Sequence, residues 1–192
     1  MERGFTLIEL LIVIAILAVL ATAVILVLNP AELVKQSRDA NRISDMATLN
    51  SAISLYLADV TVSPSLGSCP AVNARCTANN SGTSPFVTHT TCTQSTSTAV
   101  NGTGWIDINF TQISNGSPLA KEPIDPVNNG TYYYAYACVN NSGSASSSYI
   151  YQLDAKMESA KYSTGGSNDI ETNDGGSNVN WYETGNAPGL SL

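Results

Sequence analysis

The stretch GFTLIELLIVIAILAVLATAVILVLNP, residues 4–30, decides the fold. From Leu10 to Leu28 it runs for nineteen residues without a charge, and Thr22 is the only polar residue in that run. As an α-helix the run is about 28 Å long, close to the ~30 Å hydrocarbon core of a bilayer. The stretch therefore predicts a membrane-spanning helix, with one anomaly at its start, the carboxylate of Glu9.

Three interpretations of this helix compete. A cleaved secretory signal fits the small residues Ala21-Thr22-Ala23, but the apolar run continues to Leu28 and Glu9 interrupts its beginning. A plain transmembrane anchor is the second interpretation. The third gives Glu9 a function, because ionisable side chains in membrane segments are costly and usually have a partner.

The residues around Glu9 favour the third interpretation. The segment G-F-T-L-I-E at residues 4–9, followed by a long aliphatic run, resembles the class III signal of type IV pilins and type II secretion pseudopilins. The resemblance implies that prepilin peptidase cuts between Gly4 and Phe5 and methylates the new amine of Phe5. It also implies several partners, which are identical or related pilin subunits, the membrane, and a pilus or secretion assembly platform.

The resemblance gives Glu9 a physical role in assembly. Cleavage creates a positive amine at Phe5, which can pair with Glu9 within one subunit or between neighbours. Removing one partner of a buried ion pair costs about 3–5 kcal/mol, so such a pair penalises a wrong axial register. We therefore expect Phe5 and Glu9 to direct polymerisation.

The remainder of the chain has a different composition. Residues 61–192 are rich in Ser, Thr, Asn and Gly and carry four bases against nine acids, within a net charge of −7 for the whole chain. Phosphate binding needs clustered Lys and Arg, so this composition gives no direct sign of a nucleic-acid partner.

All four cysteines lie in this polar part, and we expect them to form disulfides, with three pairings open: Cys69, Cys76, Cys92 and Cys138. Disulfides and the resemblance place the head outside the cytoplasm. Lys35, Arg38 and Arg42 run against the positive-inside rule, which alone predicts the reverse. The expectation is a single-pass protein of the cytoplasmic (inner) membrane before assembly, and a cell-surface or periplasmic filament after it.

The pattern predicts an α+β fold: a long N-terminal helix, with a protruding apolar half and an amphipathic half, packed on a small antiparallel sheet. The resemblance implies the same layout, so the expected fold is pilin-like. Pro30 predicts a kink, or the first residue of a new helix. Strands are expected in WIDINF, TYYYAYACV and SSYIYQLDAKM, after a long loop region that contains an exposed His89. The predicted boundaries are leader 1–4, membrane or filament-core helix 5–29, amphipathic helix 30–60, and head 61–192 with a Gly/Asn-rich tail.

Two further segments bear on function. EPIDPVNNGTYYYAY, residues 122–136, resembles the D-P turn and Tyr-rich strand of major pseudopilins and related pilins. It lacks the Trp-Gly that usually follows D-P, which weakens an assignment to secretion. Asp169, Glu171 and Asp174 place oxygen ligands in the tail, where major pseudopilins bind calcium, and we keep these residues as a candidate calcium site.

The sequence contains none of the phosphate-loop, H-E-x-x-H or G-x-S-x-G motifs, so we expect a structural subunit and not an enzyme. The first hypothesis is a type IV pilin, and the second is a major pseudopilin of type II secretion. A hypothesis of another class is a monomeric, single-span surface protein whose head binds a ligand.

Overall fold

A computed structural model describes residues 4–61, 64–68, 73–78, 84–140 and 149–192. The chain divides into two compact units, Met1–Lys35 and Gln36–Leu192.

The first unit contains an apolar helix, α1, at Leu7–Leu28. Every side chain described in α1 is exposed. The segment Leu7–Ile25 is long and apolar enough to cross a membrane, by length and composition. The helix ends at Leu28 because Asn29 adopts a left-handed conformation with φ of 41°.

The second helix, α2, spans Pro30–Asp59 and begins directly after Asn29. Pro30 stands at its first position, where the missing N–H of proline costs nothing. The carbonyl of Asn29 accepts hydrogen bonds from the N–H groups of Glu32 and Leu33, at 3.0 and 3.3 Å. The helical hydrogen-bond ladder is therefore interrupted at the predicted bend and restarts within one residue.

The second unit contains a five-stranded sheet with the strand order β2-β1-β3-β4-β5. The strands are β1 (Asn73–Cys76), β2 (Thr91–Gln94), β3 (Tyr134–Asn140), β4 (Tyr149–Ala155) and β5 (Tyr182–Gly185). Strands β1 and β2 are parallel, and every other pair is antiparallel. Short 3-10 helices lie at Phe110–Gln112 and Pro188–Leu190.

The alternation of large and small residues in β3 separates two cores. The Tyr residues at 134 and 136 face the main core, which α2 covers with four side chains that are at most 1% exposed: Met46, Leu49, Ile53 and Tyr56. Ala135 and Ala137 face a second cluster with Phe86, Tyr133 and Trp181. The predicted α+β class, with a helix packed on a mostly antiparallel sheet, is confirmed.

Three local predictions are wrong. The apolar residues of WIDINF are buried, but the segment is not one of the five strands, because its backbone donors bond elsewhere: the N–H of Ile106 donates to the Glu122 carboxylate, at 2.9 Å. The expected loop region contains β1 and β2. His89 is 2% exposed, not solvated, because its ring packs near Phe86 and bonds to the Thr88 hydroxyl.

Two charged residues of the amphipathic helix α2 lie in the interior of the head. Arg42 and Asp39 are both fully buried. The Arg42 guanidinium donates to Asp39 at 2.7 Å and to both oxygens of Asp125, at 2.6 and 3.0 Å. It also lies 5.1 Å from the ring centroid of Tyr132. Burial by itself lowers the pKa of Arg42, but the hydrogen bonds and charges of Asp125 and Asp39 outweigh it and raise that pKa.

This ion-pair cluster connects α2 to two distant segments. Asp125 belongs to the D-P turn, where its carboxylate also accepts hydrogen bonds from the N–H groups of Val127 and Asn128. Asp39 accepts hydrogen bonds from the N–H groups of Glu158 and Ser159, at 2.9 and 2.8 Å. The cluster therefore fixes where the D-P turn and the segment after β4 meet the helix.

We expect Arg42→Ala to destabilise the head by about 3–5 kcal/mol, because it leaves two buried carboxylates without a counter-charge. Urea unfolding followed by tryptophan fluorescence measures the change. Lys121→Ala is the control, since Lys121 is exposed and its loss should change stability by less than about 0.5 kcal/mol. Equal unfolding midpoints for the two variants would contradict the prediction.

Candidate processing and assembly site

The predicted cleavage site lies just before α1. Gly4, Phe5 and Thr6 precede the first helical residue, Leu7, and are exposed, Phe5 by 80%. A Cβ built at Gly4 would have no atom within 4 Å. The Gly4–Phe5 bond is therefore accessible and outside the helical hydrogen-bond ladder, as a protease needs.

Glu9 folds back over this site. Its Oε2 accepts hydrogen bonds from the Thr6 N–H at 2.8 Å and from the Thr6 hydroxyl at 2.7 Å. The Thr6 hydroxyl in turn accepts a bond from the Glu9 N–H at 3.3 Å, which completes a capping box. The carboxylate is thus held at the positive end of the α1 dipole.

This geometry places a carboxylate beside the amine that cleavage would create. Glu9 already contacts the nitrogen of Thr6, and one residue spans at most about 3.6 Å, so the nitrogen of Phe5 is within reach. Both bonds from Thr6 use Oε2, and Oε1 accepts no hydrogen bond from the residues that the structure describes. Oε2 can therefore keep its hydrogen bonds from Thr6 while Oε1 accepts a hydrogen bond from a second donor.

The rest of α1 has no competing polar site. Glu9 is the only charged residue between Leu7 and Leu28. The hydroxyl of Thr22 donates to the carbonyl of Val19 at 2.8 Å, so it is satisfied within the helix. Any electrostatic pairing by α1 must therefore involve Glu9.

Thr6 is the one residue of this site that sequence reasoning missed. The spacing Thr6-x-x-Glu9 directly before an apolar helix is the capping-box signature and could have identified it.

The cysteines lie far from this site along the chain. Cys76 of β1 and Cys92 of β2 form a disulfide with a Cα–Cα distance of 5.9 Å, which joins the two parallel strands. Cys138 is also disulfide-bonded. Cys69 lies outside the described residues.

The three candidate calcium ligands each hold a different turn. Asp169 accepts bonds from the N–H groups of Gly165 and Thr172, which lower its pKa. The Glu171 carboxylate is buried and accepts bonds from the N–H groups of Met157 and Thr164, at 2.8 and 2.9 Å.

The third candidate, Asp174, accepts bonds from the N–H groups of Gly176 and Glu183, at 2.8 and 2.6 Å. Burial raises the pKa values of both Glu171 and Asp174. Within the described ranges, no group of three His, Cys, Asp or Glu side chains is placed to hold a metal ion. Calcium binding at these residues stays a prediction.

Comparison with known proteins identifies the N-terminal segment. Residues 1–25 match the family model described as the prokaryotic N-terminal methylation motif, which is the signal of type IV pilins and pseudopilins. This match confirms the resemblance seen in the sequence. No curated protein and no solved structure matches the chain.

If the tail binds calcium, added calcium should raise the thermal unfolding midpoint of the natural chain and leave that of Asp169→Asn unchanged, because the variant loses a charged oxygen ligand. Differential scanning calorimetry of both proteins, with calcium and with a chelator, measures this. An unchanged midpoint for the natural chain would remove the calcium assignment.

Proposed function

We propose that this chain is a structural subunit that is made as a membrane-anchored precursor and polymerises into a type IV pilus-like filament. Prepilin peptidase cleaves between Gly4 and Phe5 and methylates the amine of Phe5. The subunits then assemble through α1, with Glu9 paired to a Phe5 amine. The methylation motif at residues 1–25, with Glu9 turned towards the cleavage site, is the observation that carries this proposal.

The exposed apolar surface of α1 supports two successive states of the subunit, first in the membrane and then in the filament. A helix with twenty-two residues and one charge is stable in contact with lipid or with other apolar helices, but not in water. The apolar helix and the motif fit a membrane-anchored precursor. Filament assembly then replaces lipid by neighbouring helices.

The D-P segment favours a pilus over a secretion pseudopilus. The residues after Asp125-Pro126 are Val127-Asn128, where pseudopilins usually carry Trp-Gly. The head is also disulfide-bonded, which suits a filament exposed outside the cell. A pseudopilus remains the second candidate, and a monomeric anchored binding protein is the candidate of another class.

Mass spectrometry of the mature N-terminus separates the first two candidates from the third. We expect the purified protein to begin with N-methylated Phe5, because the peptidase cuts and modifies at the motif. An intact Met1, or a cut after Ala23, would instead support a plain anchor or a secreted protein.

We expect Glu9→Val to be cleaved and inserted in the membrane but to form no filaments, since the Phe5 amine loses its carboxylate partner. Electron microscopy of sheared surface fractions and immunoblots of membranes measure the two steps. Normal filaments from this variant would contradict the role of Glu9.

Two matched variants distinguish pairing from capping and from general polarity. Thr22→Val removes the other polar side chain of α1 and should assemble normally. Thr6→Val removes the side-chain cap, which is worth about 1 kcal/mol, but keeps the carboxylate, so it should reduce assembly without abolishing it. Complete loss in Thr6→Val would make capping, and not pairing, the function of Glu9.

A further inference from the structure

Glu122 is a buried carboxyl group in the loop that precedes β3. The whole residue is inaccessible to solvent, with 0% of its surface exposed. Its Oε2 accepts a hydrogen bond from the Ile106 N–H at 2.9 Å, and its own N–H donates to the Thr98 carbonyl at 2.9 Å. It therefore connects the chain before the D-P turn to both ends of the segment 98–106.

Glu122 shares its surroundings with one base, one carboxylate and one tyrosine. The groups facing it are Arg75 of β1, Asp107 and Tyr136 of β3. Arg75 pairs with Asp107 at 3.4 Å and donates to the carbonyls of Trp105 and Gly104, at 2.6 and 3.3 Å. The hydroxyl of Tyr136 is buried and donates to the Leu66 carbonyl. Among these described groups, the one cation, Arg75, is thus already paired with the other carboxylate, Asp107.

The second carboxyl oxygen of Glu122, Oε1, is buried and has no hydrogen-bond partner among the residues that the structure describes, so no hydrogen bond from them offsets its burial. In the part of the chain that the structure describes, none of the ion pairs includes Glu122. Gly104 packs directly on the carboxyl group, since a Cβ built there would overlap Oε2. An ionised carboxylate in this position would be a buried, unpaired charge, which is costly.

We propose that Glu122 is a neutral carboxylic acid in the folded head at neutral pH, and that losing its proton in mildly alkaline solution loosens the segment 98–106. Glu122 and this segment together form a pH-sensitive latch. In its closed state the proton resides on the carboxyl group. In its open state the proton has passed to solvent, and the Glu122 carboxylate is an anion that is stable only when water can reach it.

The direction of the pH effect follows from the environment. Burial raises the pKa of Glu122 from 4.5 to about 8, while the hydrogen bond from the Ile106 N–H and the charge of Arg75 oppose the rise. A raised carboxyl pKa gives stabilisation that is complete below about pH 4.5 and is lost as the pH rises through about 8. The latch is therefore closed in acid and opens towards alkaline pH.

The fluorescence of Trp105 can report whether the latch is open. Trp105 lies in the segment that opens, and its indole N–H donates to the Pro123 carbonyl, next to Glu122, at 2.8 Å. The chain has two tryptophans, so Trp181→Phe leaves Trp105 as the only one. In that background we expect a fluorescence transition of the folded protein with a midpoint near pH 8. The transition should be absent when Glu122→Gln is added.

The stability test compares the full chain in detergent micelles with Glu122→Gln by urea unfolding between pH 5 and pH 9. Burial also raises the pKa values of other carboxyl groups, among them Asp154 and Glu171, so the ratio of the two unfolding constants is the measured quantity. We expect the ratio of natural protein to E122Q to rise at least about tenfold between pH 6 and pH 8, because one bound proton changes that constant up to tenfold per pH unit. A constant ratio would overturn the proposal.

Glu158→Gln is the matched control, because it makes the same chemical change at a carboxylate that is paired. Arg38 donates to both oxygens of Glu158 and is the first cause of its lowered pKa. This variant should lose stability by a constant factor across pH 6 to 8. A pH-dependent ratio in E158Q equal to that in E122Q would also overturn the assignment to Glu122.

A third measurement covers the case in which E122Q does not fold. Carbon-13 NMR of the natural protein, labelled at glutamate carboxyls, follows each carboxyl from pH 5 to pH 10. We expect one buried glutamate that is protonated at pH 7 and titrates with its midpoint near 8. If every glutamate carboxyl is ionised at pH 7, the latch does not exist.

Discussion

The buried guanidinium of Arg42 is the interaction on which the head depends. It bonds to Asp39, one turn earlier in the same helix, and to Asp125, which is 83 residues away in sequence. A buried charge without its partner is strongly destabilising. Burial of Arg42 in the head is therefore favourable only when the D-P turn is in place to supply Asp125. Asp39 extends this requirement to the segment after β4, through the N–H groups of Glu158 and Ser159. Charge pairing therefore specifies the arrangement, and apolar packing of α2 on the sheet supplies the bulk of its stability.

Three ionisable residues in apolar surroundings, Arg42, Glu122 and Glu9, differ in how their charge is compensated. Arg42 is compensated within the subunit by two carboxylates. Glu122 avoids the charge by keeping its proton. Glu9 does neither, since its capping box uses one oxygen and leaves the charge without a cation in the described part of its own chain. Glu9 is tolerable because it is exposed at the end of α1, where its carboxylate caps the helix. In the proposed assembly, a Phe5 amine supplies the cation that Glu9 lacks.

The sequence contained the information for the helices and for β3 and β4, because their patterns are local. The apolar run fixes α1, Pro30 fixes the start of α2, and the Tyr-rich alternation fixes the antiparallel pair. What it could not show were interactions between segments that are distant in sequence. WIDINF has the alternation of a strand, yet the Glu122 side chain, sixteen residues later, takes the Ile106 donor that a neighbouring strand would need. The burial of Arg42 could not be predicted for the same reason, since its partner Asp125 lies in another segment.

In the proposed assembly, one carboxylate both begins a helix and pairs with an amine, and the capping box explains how it can do both. A free glutamate side chain loses rotamer freedom when it forms an ion pair, and this loss reduces the net gain. In α1 the two bonds from Thr6 have already fixed the Glu9 side chain and turned it towards the N-terminus. An incoming amine therefore meets an oxygen that is oriented in advance, and less ordering opposes the pairing. In the proposed filament, helix capping and subunit pairing are therefore successive uses of one fixed side chain, and the first increases the strength of the second.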